Sequence, residues 1–493
     1  MSDIVGIDFG TSTCKMVRYE QGELERVRFG GATTTMPELL PSYISFHEDE
    51  VRDAGEMGTI IVGGTAKAEA LLRFEATYPS SSPGHEPIKI NITSSDEDFT
   101  PYRPTHTELF DRTLYRAPDM AVEIFSYMMN MGAEYLGYQP GSAVLTVPAY
   151  FSNEQFAAIR EAAQEAGLHV EDRVPEPVAA AVSYAWRRGL QGNVLVYDFG
   201  GGTFDTTVIG VSDSQYEVYA KLGNPELGGT DLDRILYNTL FRSWGEDVTG
   251  WASLSQDPDA PDRDDAEVNT ARQQLADAAE QAKIELSSAE EVSKNITLLA
   301  ASGEQITRTL TLTRSDLEAQ IGHLIRGTFD TVQRVIQKAG MRNEDIDHVL
   351  PVGGVTRMPL IRDSLARDFG PDKICIPNSP DTAVAEGAAL VAARDEIGLN
   401  PTVKDVLGLS LRMQKPESIE TSVVIPSGTS IEDCEKTIRF RWGSASKYEV
   451  NLCEGENLEY HENEPIGYLL LEPGQELARV PARRDQGQRT KDK

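Results

Sequence analysis

Two stretches of the chain end an apolar run with a carboxylate and follow it with glycine and threonine. The first is residues 5–13, VGIDFGTST, and the second is residues 196–207, VYDFGGGTFDTT. A carboxylate in an otherwise apolar strand costs free energy unless it has a partner. Gly200, Gly201 and Gly202 expose consecutive backbone N–H groups and let backbone approach a ligand closely, which makes an anion-binding concavity. A polyphosphate carried with Mg²⁺ answers both features. The amides of Gly10, Thr11, Ser12, Gly200, Gly201, Gly202 and Thr203, with Thr13 beside them, take phosphate oxygens. Asp8, Asp198 and Asp205 hold Mg²⁺ through waters, because Mg²⁺ dehydrates reluctantly. A plain glycine hairpin would account for the second stretch alone. It explains neither the two flanking aspartates nor the recurrence, which suggests two related half-domains facing one site.

The chain has no GxxxxGK[ST] phosphate loop, and no GxGxxG opens a helix with an acidic residue at dinucleotide-binding spacing. A third glycine turn, PVGGVTRMP at 351–359, suits close approach by a flat nucleoside, although alone it reads as a simple strand-to-helix loop. Glu280, Lys283 and Ser287 fall on one stripe of a long helix pattern. Taken singly, Glu280 and Lys283 are an ordinary helical ion pair worth about 0.2–0.5 kcal/mol.

The elements that must position these groups alternate strand-like and amphipathic runs as far as about residue 394, the α/β signature. SAVLTVPAYF (142–151) is a strand ending at proline. SNEQFAAIREAAQEAGL (152–168) is a helix with Ser152 as N-cap, Gln155 completing a capping box and Gly167 as its stop. VPEPVAAAVSYAW (174–186) is a strand end and an Ala-rich helix, and 189–211 reads as strand, glycine turn, strand. Helices are expected over 265–288, 358–370 and 383–397, and HVLPVGG (348–354) is a strand and turn. After Pro401 the character changes to short alternating runs, KTIRFRW and KYEVNL, joined by GSAS. The acidic stretch 255–265 and the polar segment 93–107 read as surface insertions, and the basic end as a disordered tail.

The chain has 493 residues, a formal net charge of −32, 40% hydrophobic and 25% charged residues. This is the balance of an ordinary soluble protein of two or three domains. The negative charge argues against nucleic acid or anionic lipid as a general partner, while leaving room for a small anion in a local cleft. Cys14, Cys375, Cys434 and Cys453 are scattered without zinc-like spacing, which points to free thiols in a reducing compartment. With no signal-peptide pattern and no long apolar run, a cytoplasmic address is expected.

Taken in order, these motifs resemble the DnaK-type heat-shock protein 70 chaperones of the actin-like ATPase superfamily. GIDFGTST and VYDFGGGTFDTTV resemble the family's two phosphate loops, and ELGGTDLDRIL (226–236), with Gly228 and Gly229, its next glycine loop. AAEQAKIELSS resembles the adenosine-contacting helix, VLPVGGVTRMPLIRDSL the adenosine loop and VKDVLGLSL the interdomain linker. LTVPAYFSNEQ and VPEPVAAAVSYAW match its connecting segments. The resemblance spans most of 3–411 and implies an α/β, two-lobed actin-like ATPase of duplicated ribonuclease-H-like domains, with a short β-rich C-terminal segment.

It further implies ATP or ADP with Mg²⁺ in a cleft and slow hydrolysis by water. Asp8, Glu176, Asp198 and Asp205 would organise the metal and its waters. Thr11, Ser12 and Thr203 would contact phosphates. Glu280, Lys283, Ser287, Gly353, Gly354, Arg357 and Asp381 would surround the nucleoside, and Pro148 and Pro177 would couple nucleotide to lobe rotation. The family's catalytic lysine falls in the altered segment TYPSSSPGHEPIKIN, where Lys89 is the candidate; Lys15, on the strand returning from Asp8, is its rival. Ile284, Val355, Val178 and Phe156 stand where the family usually has arginine, serine, threonine and arginine.

The implied organisation is an ATPase domain over 1–397, a linker over 398–411, a shortened β-rich substrate-binding segment over 412–478 and a tail over 479–493. Nothing after the linker reads as a helical lid. The expected activity is a weakly hydrolysing chaperone whose partners are unfolded or extended polypeptide, a J-domain co-chaperone and a nucleotide-exchange factor. The missing lid and the changes at Phe156 and Val178 leave a second reading, a nucleotide-switched interaction module without foldase activity. A sugar-kinase-like or actin-like member is the third, and the linker and β segment argue against it.

Overall fold

The computed structural model describes residues 4–29, 36–47, 59–69, 77–78, 88–89, 91–93, 101–104, 110–149, 151–213, 215–244, 266–299, 304–377, 379–398, 402–407, 410–415, 418–430, 448–455 and 457–471. The acidic stretch 255–265, the KTIRFRW and GSAS runs and the tail lie outside these residues.

Two sheets carry the glycine turns, and they share a plan. In the first, strand Ile4–Asp8 pairs antiparallel with Thr13–Glu20, which pairs with Glu23–Arg26; on its other side Ile4–Asp8 pairs parallel with Ser142–Val147, then His169–Pro175. In the second, Gly192–Phe199 pairs antiparallel with Phe204–Ser212, which pairs with Gln215–Asn224; its other side pairs parallel with His348–Val352. In each sheet the first hairpin turn is one of the two glycine motifs. The expected duplication is therefore built into the strand order.

Each sheet has its own apolar core, and a third core joins them. That third core is built on helices Glu176–Arg188 and Ala383–Ala392, whose buried Val178, Ala181 and Ala388 meet Val144 and Val174 of one sheet and Val194 and Val196 of the other. An Ala-rich helix suits this place because small side chains let two helices and two sheets approach closely. The helix expected over 383–397 is interrupted at Ala393, whose φ of −88° and ψ of 8° end the ladder; a short turn, Arg394–Ile397, follows. The Ser152–Gln155 capping box forms as the sequence indicates.

The polar segment 93–107 is not wholly a surface insertion. Pro104 is buried, and Tyr102 stacks on the buried ring of Phe46 with centroids 4.1 Å apart. Aromatic area outweighs the polar neighbours there. Within the segment expected to be the linker, Thr402–Lys404 is an edge strand that pairs parallel with Gln215–Asn224. Beyond it, Thr421–Ile425, Leu411–Gln414, Tyr448–Glu454 and Glu464–Leu471 form a four-stranded antiparallel sheet with Val450 and Leu452 buried. Cys14, Cys375 and Cys453 are buried and unbridged. Among the described residues no helix is long and apolar enough to cross a membrane.

Candidate functional site

Asp8 ends its strand 6% exposed, and its cross-strand neighbour is Lys15. The Lys15 ammonium donates to Asp8 Oδ2 at 2.9 Å, and Thr146 Oγ1 donates to Oδ1 at 3.2 Å. Burial pushes the Asp8 carboxyl up, but Lys15 and Lys89 outweigh it and hold it below the usual range. Lys89 Nζ donates to Glu176 Oε1 at 2.7 Å, with Glu176 opening the helix that bridges the lobes.

Asp198 and Asp205 come from the second glycine hairpin, where they are register partners, 9% and 5% exposed. Thr203 Oγ1 donates to Asp205 Oδ2 at 3.2 Å. Burial, then Glu176, Asp205 and Asp8, push the Asp198 carboxyl well up. Burial and then Glu176 push Asp205 up to about 7, although Thr203, Lys89 and Lys221 pull it down. Four carboxylates, the buried Asp8, Asp198 and Asp205 and the partly buried Glu176, thus gather near fewer lysines, Lys15 and Lys89, with Lys221 acting on Asp205. This imbalance is what a divalent cation would offset. Among the described residues no three His, Cys, Asp or Glu side chains converge as a direct ligand set. The carboxylate oxygens of Asp8, Asp198, Asp205 and Glu176 are acceptors of the kind that hold Mg²⁺ through its waters.

The phosphate-loop candidates interlock. A Cβ on Gly201 would lie 2.0 Å from Ser12 Oγ, so the two hairpin turns meet where only glycine fits. Ser42 Oγ donates to the Gly10 carbonyl at 2.8 Å. The loop holding Gly228 and Gly229 packs on the second turn: Gly229 N donates to Gly200 O at 3.0 Å and Thr230 N to Gly201 O at 2.9 Å. Lys283 reaches the same place, donating to Gly229 O at 3.1 Å and Asp233 Oδ2 at 2.6 Å. Gly353 adopts φ of +84°, and a Cβ there would lie 2.4 Å from Phe199 O and 3.0 Å from Asp198 Oδ1. The third glycine turn is thereby set against the second. Arg357 pairs with Asp381, and Gly354 lies beside that carboxylate. Glu280 pairs instead with Lys67, a helix residue of the first half, which also sits over the Tyr43 ring. Ser287 Oγ donates back to Lys283 O at 3.4 Å.

The chain matches the family profile described as Hsp70 protein over residues 4–476. It belongs to the Hsp70 family. Hsp70 proteins are ATP-binding chaperone ATPases of actin-like fold, and the mixed α/β architecture with its duplicated sheets agrees with that fold.

The four positions that the sequence reading sets apart from the family's usual residues have different surroundings. Val178 is fully buried in the joining core, and Val355 is 7% exposed in the core of the second half. Ile284 is 60% exposed. Phe156 lies between the guanidinium groups of Arg160 and Arg173, at 5.9 and 4.8 Å from its ring centre. Several neighbours of the site escaped sequence reasoning. Thr146 is a polar residue inside an apolar strand, the same signal that Asp8 gave. Asp233, which bonds Lys283 and has a buried Oδ1 without a partner, sits in ELGGTDLD but reads there as a helix-start acid. Lys67 carries no local signal, because its partner Glu280 is remote in sequence.

Proposed function

We propose that this chain is a chaperone that binds Mg²⁺–ATP between its paired glycine hairpins and hydrolyses it slowly to control its grip on unfolded or extended polypeptide. The convergence of Asp8, Glu176, Asp198 and Asp205 beside the interlocked glycine turns carries this reading. Phosphoryl transfer needs positioning and charge neutralisation more than covalent chemistry. In this reading the four carboxylates hold hydrated Mg²⁺, which would supply charge neutralisation at the phosphates. Thr11, Ser12, Thr203 and the glycine amides orient the phosphate chain. Lys15 and Lys89 balance its charge. Glu280, Lys283, Ser287, Gly353, Gly354, Arg357 and Asp381 frame the nucleoside. A J-domain protein and an exchange factor are the expected regulators, with the sheet after the linker as the polypeptide-binding part.

The test is ATP turnover by the full chain with and without a permanently unfolded polypeptide. Slow turnover that the polypeptide accelerates supports the proposal. Absence of ATP affinity in the presence of Mg²⁺ refutes it. Nucleotide-dependent conformational change with no binding of extended apolar peptides would favour the switched interaction module, the reading that the changes at Phe156 and at the buried Val178 support.

A further inference from the structure

Arg412 stands on Leu411–Gln414, an inner strand of the C-terminal sheet, and is 5% exposed. No other arginine among the described residues is buried to this degree. An arginine keeps its charge wherever it sits, and a buried charge is costly unless it is paired. Its Nε donates to Thr421 Oγ1 at 2.7 Å, a neutral acceptor that is itself buried. Among the described residues the two terminal nitrogens have no acceptor, and neither is sealed from the surface. Glu420, next to Thr421, pairs with Lys415 instead, and its bridge partner Glu459 lies 3.3 Å from the His461 ring.

Cys453 is the register partner of Arg412 across the sheet, fully buried and unbridged. Burial pushes its thiol up although Arg412 pulls it down, so it stays uncharged and supplies no counterion. The guanidinium is thus held on a neutral frame with its fork open, the arrangement that takes a carboxylate bidentately. The rim around it is apolar. Val423 stands directly opposite Arg412 on the edge strand Thr421–Ile425, which puts the two on one face, and it is 47% exposed. Thr421 N donates to Leu458 O at 2.6 Å, and Tyr460 N donates to Ile419 O at 2.7 Å. Leu458 and Ile419, both exposed, therefore flank the residue that Arg412 bonds.

We propose that Arg412 receives the carboxylate of an apolar polypeptide segment lying on Ile419, Val423 and Leu458. In a chain of net charge −32, a buried cation left without an internal anion points to an anion from outside. The apolar rim holds the segment, and the guanidinium selects segments that carry a carboxylate, at the chain end or on Asp or Glu. A segment without one leaves the guanidinium unpaired beneath the bound chain, and such a penalty is what turns a polar contact into selectivity. The inference rests on the reading of this sheet as the polypeptide-binding part, and it names the chemistry of the polypeptide.

The experiment is fluorescence anisotropy of the full chain, without nucleotide, with three labelled seven-residue peptides rich in Leu and Val. One ends in a free carboxylate, one in an amide, and one in an amide with a single internal Glu. The wild type should bind the first and third at least about tenfold more tightly than the second, because the amide leaves a buried charge unpaired. In Arg412→Met all three should bind alike, and Arg412→Lys should keep part of the preference. Thermal unfolding checks the fold: Arg412→Met should melt no lower than the wild type, since the charge it removes has no anionic partner to lose. Should it fold poorly, the wild-type comparison still decides, because there only the ligand differs. Peptides that bind the wild type but do so alike, or a preference that survives Arg412→Met, overturn this inference and leave the proposed function standing. If no peptide binds, yet N-acetyl-leucine raises the melting temperature of the wild type and not of Arg412→Met, the polypeptide reading fails while the carboxylate site holds.

Discussion

Lys89 and Glu176 form an ion pair at 2.7 Å whose lysine is 5% exposed, one partner from the irregular segment of the first half and the other from the first turn of a helix shared by both halves. The pair is the main relief for a pocket that also holds Asp8, Asp198 and Asp205. Burial alone would lower the Lys89 ammonium, but Glu176 and Asp8 raise it, so it stays charged. Lys15 has a separate task, bonding Asp8 and the Thr13 carbonyl.

Lys89→Met should therefore both slow turnover and destabilise the protein, because it leaves Glu176 buried without its cation. The expected loss is about 3 kcal/mol, the scale for breaking a buried pair. Lys15→Met should cost less, since Asp8 keeps its bond from Thr146. Urea unfolding of both variants measures the difference; equal losses would mean that Glu176 does not depend on Lys89.

Asp198 shows the opposite balance. Burial and its three carboxylate neighbours work against its charge, so the strand would be better off without it. Asp198→Asn should unfold at higher denaturant concentration than wild type by roughly 1–2 kcal/mol, the usual gain when a strained functional group is removed. Turnover should fall by at least about 100-fold, the scale for removing one electrostatic stabiliser of a transition state. A variant that is less stable yet active would assign Asp198 a structural role.

The contrast between these residues explains how much could be read from the sequence. Asp8, Asp198 and Asp205 were legible because each breaks an apolar strand pattern beside glycine, and the cost of that break demands a partner. The α/β order, the duplication and the capped helix at Ser152 were legible because they rest on local periodicity and turn chemistry. The Glu280–Lys67 contact was not, since the sequence pattern offers Lys283 as the helical partner of Glu280, whereas the fold gives Glu280 to Lys67 and Lys283 to Asp233. Tyr102 failed differently: a polar neighbourhood concealed one aromatic ring that packs on Phe46. Residues whose roles depend on long-range pairing leave no mark on the sequence around them.

The Glu280–Lys67 pair joins the helix Ala266–Leu286 of the second half to Gly64–Glu69 of the first. Burial pushes the Glu280 carboxyl up, but Lys67 outweighs it and holds the group below its ordinary value of 4.5. A carboxyl depressed in the folded state contributes stability above its unfolded value and loses it as pH falls through the folded value. Both side chains are about 30% exposed, so solvent screens the pair. Lys67→Met should cost about 0.5–1 kcal/mol at pH 7. The gap from wild type should persist at pH 5.5 and close below pH 4.5. Denaturant titrations at three pH values measure it; a gap that widens on acidification would place the contribution elsewhere.

Glu386 tests how the halves are held together. It is 3% exposed on the helix Ala383–Ala392, amid alanine and valine, yet every side of its carboxylate is used. Arg26 donates to Oε1 through Nε at 2.8 Å, and Thr382 Oγ1 donates to the same oxygen at 3.0 Å. Ser183 and Arg187, from the other shared helix, donate to Oε2 at 3.1 and 3.2 Å. One carboxylate thereby ties the edge strand Glu23–Arg26 and both joining helices into a single network. Replacing it with alanine leaves two partly buried guanidinium groups and the Ser183 hydroxyl without this acceptor, at an expected cost of about 3–5 kcal/mol. Glu386→Gln keeps the shape and one acceptor oxygen, and should cost about half as much. Because the network acts as a unit, Glu386→Ala combined with Arg26→Ala should lose less than the sum of the single losses by roughly 1–2 kcal/mol. Urea unfolding of the two single variants and the double variant measures this coupling; strict additivity would show that Arg26 and Glu386 stabilise the fold independently.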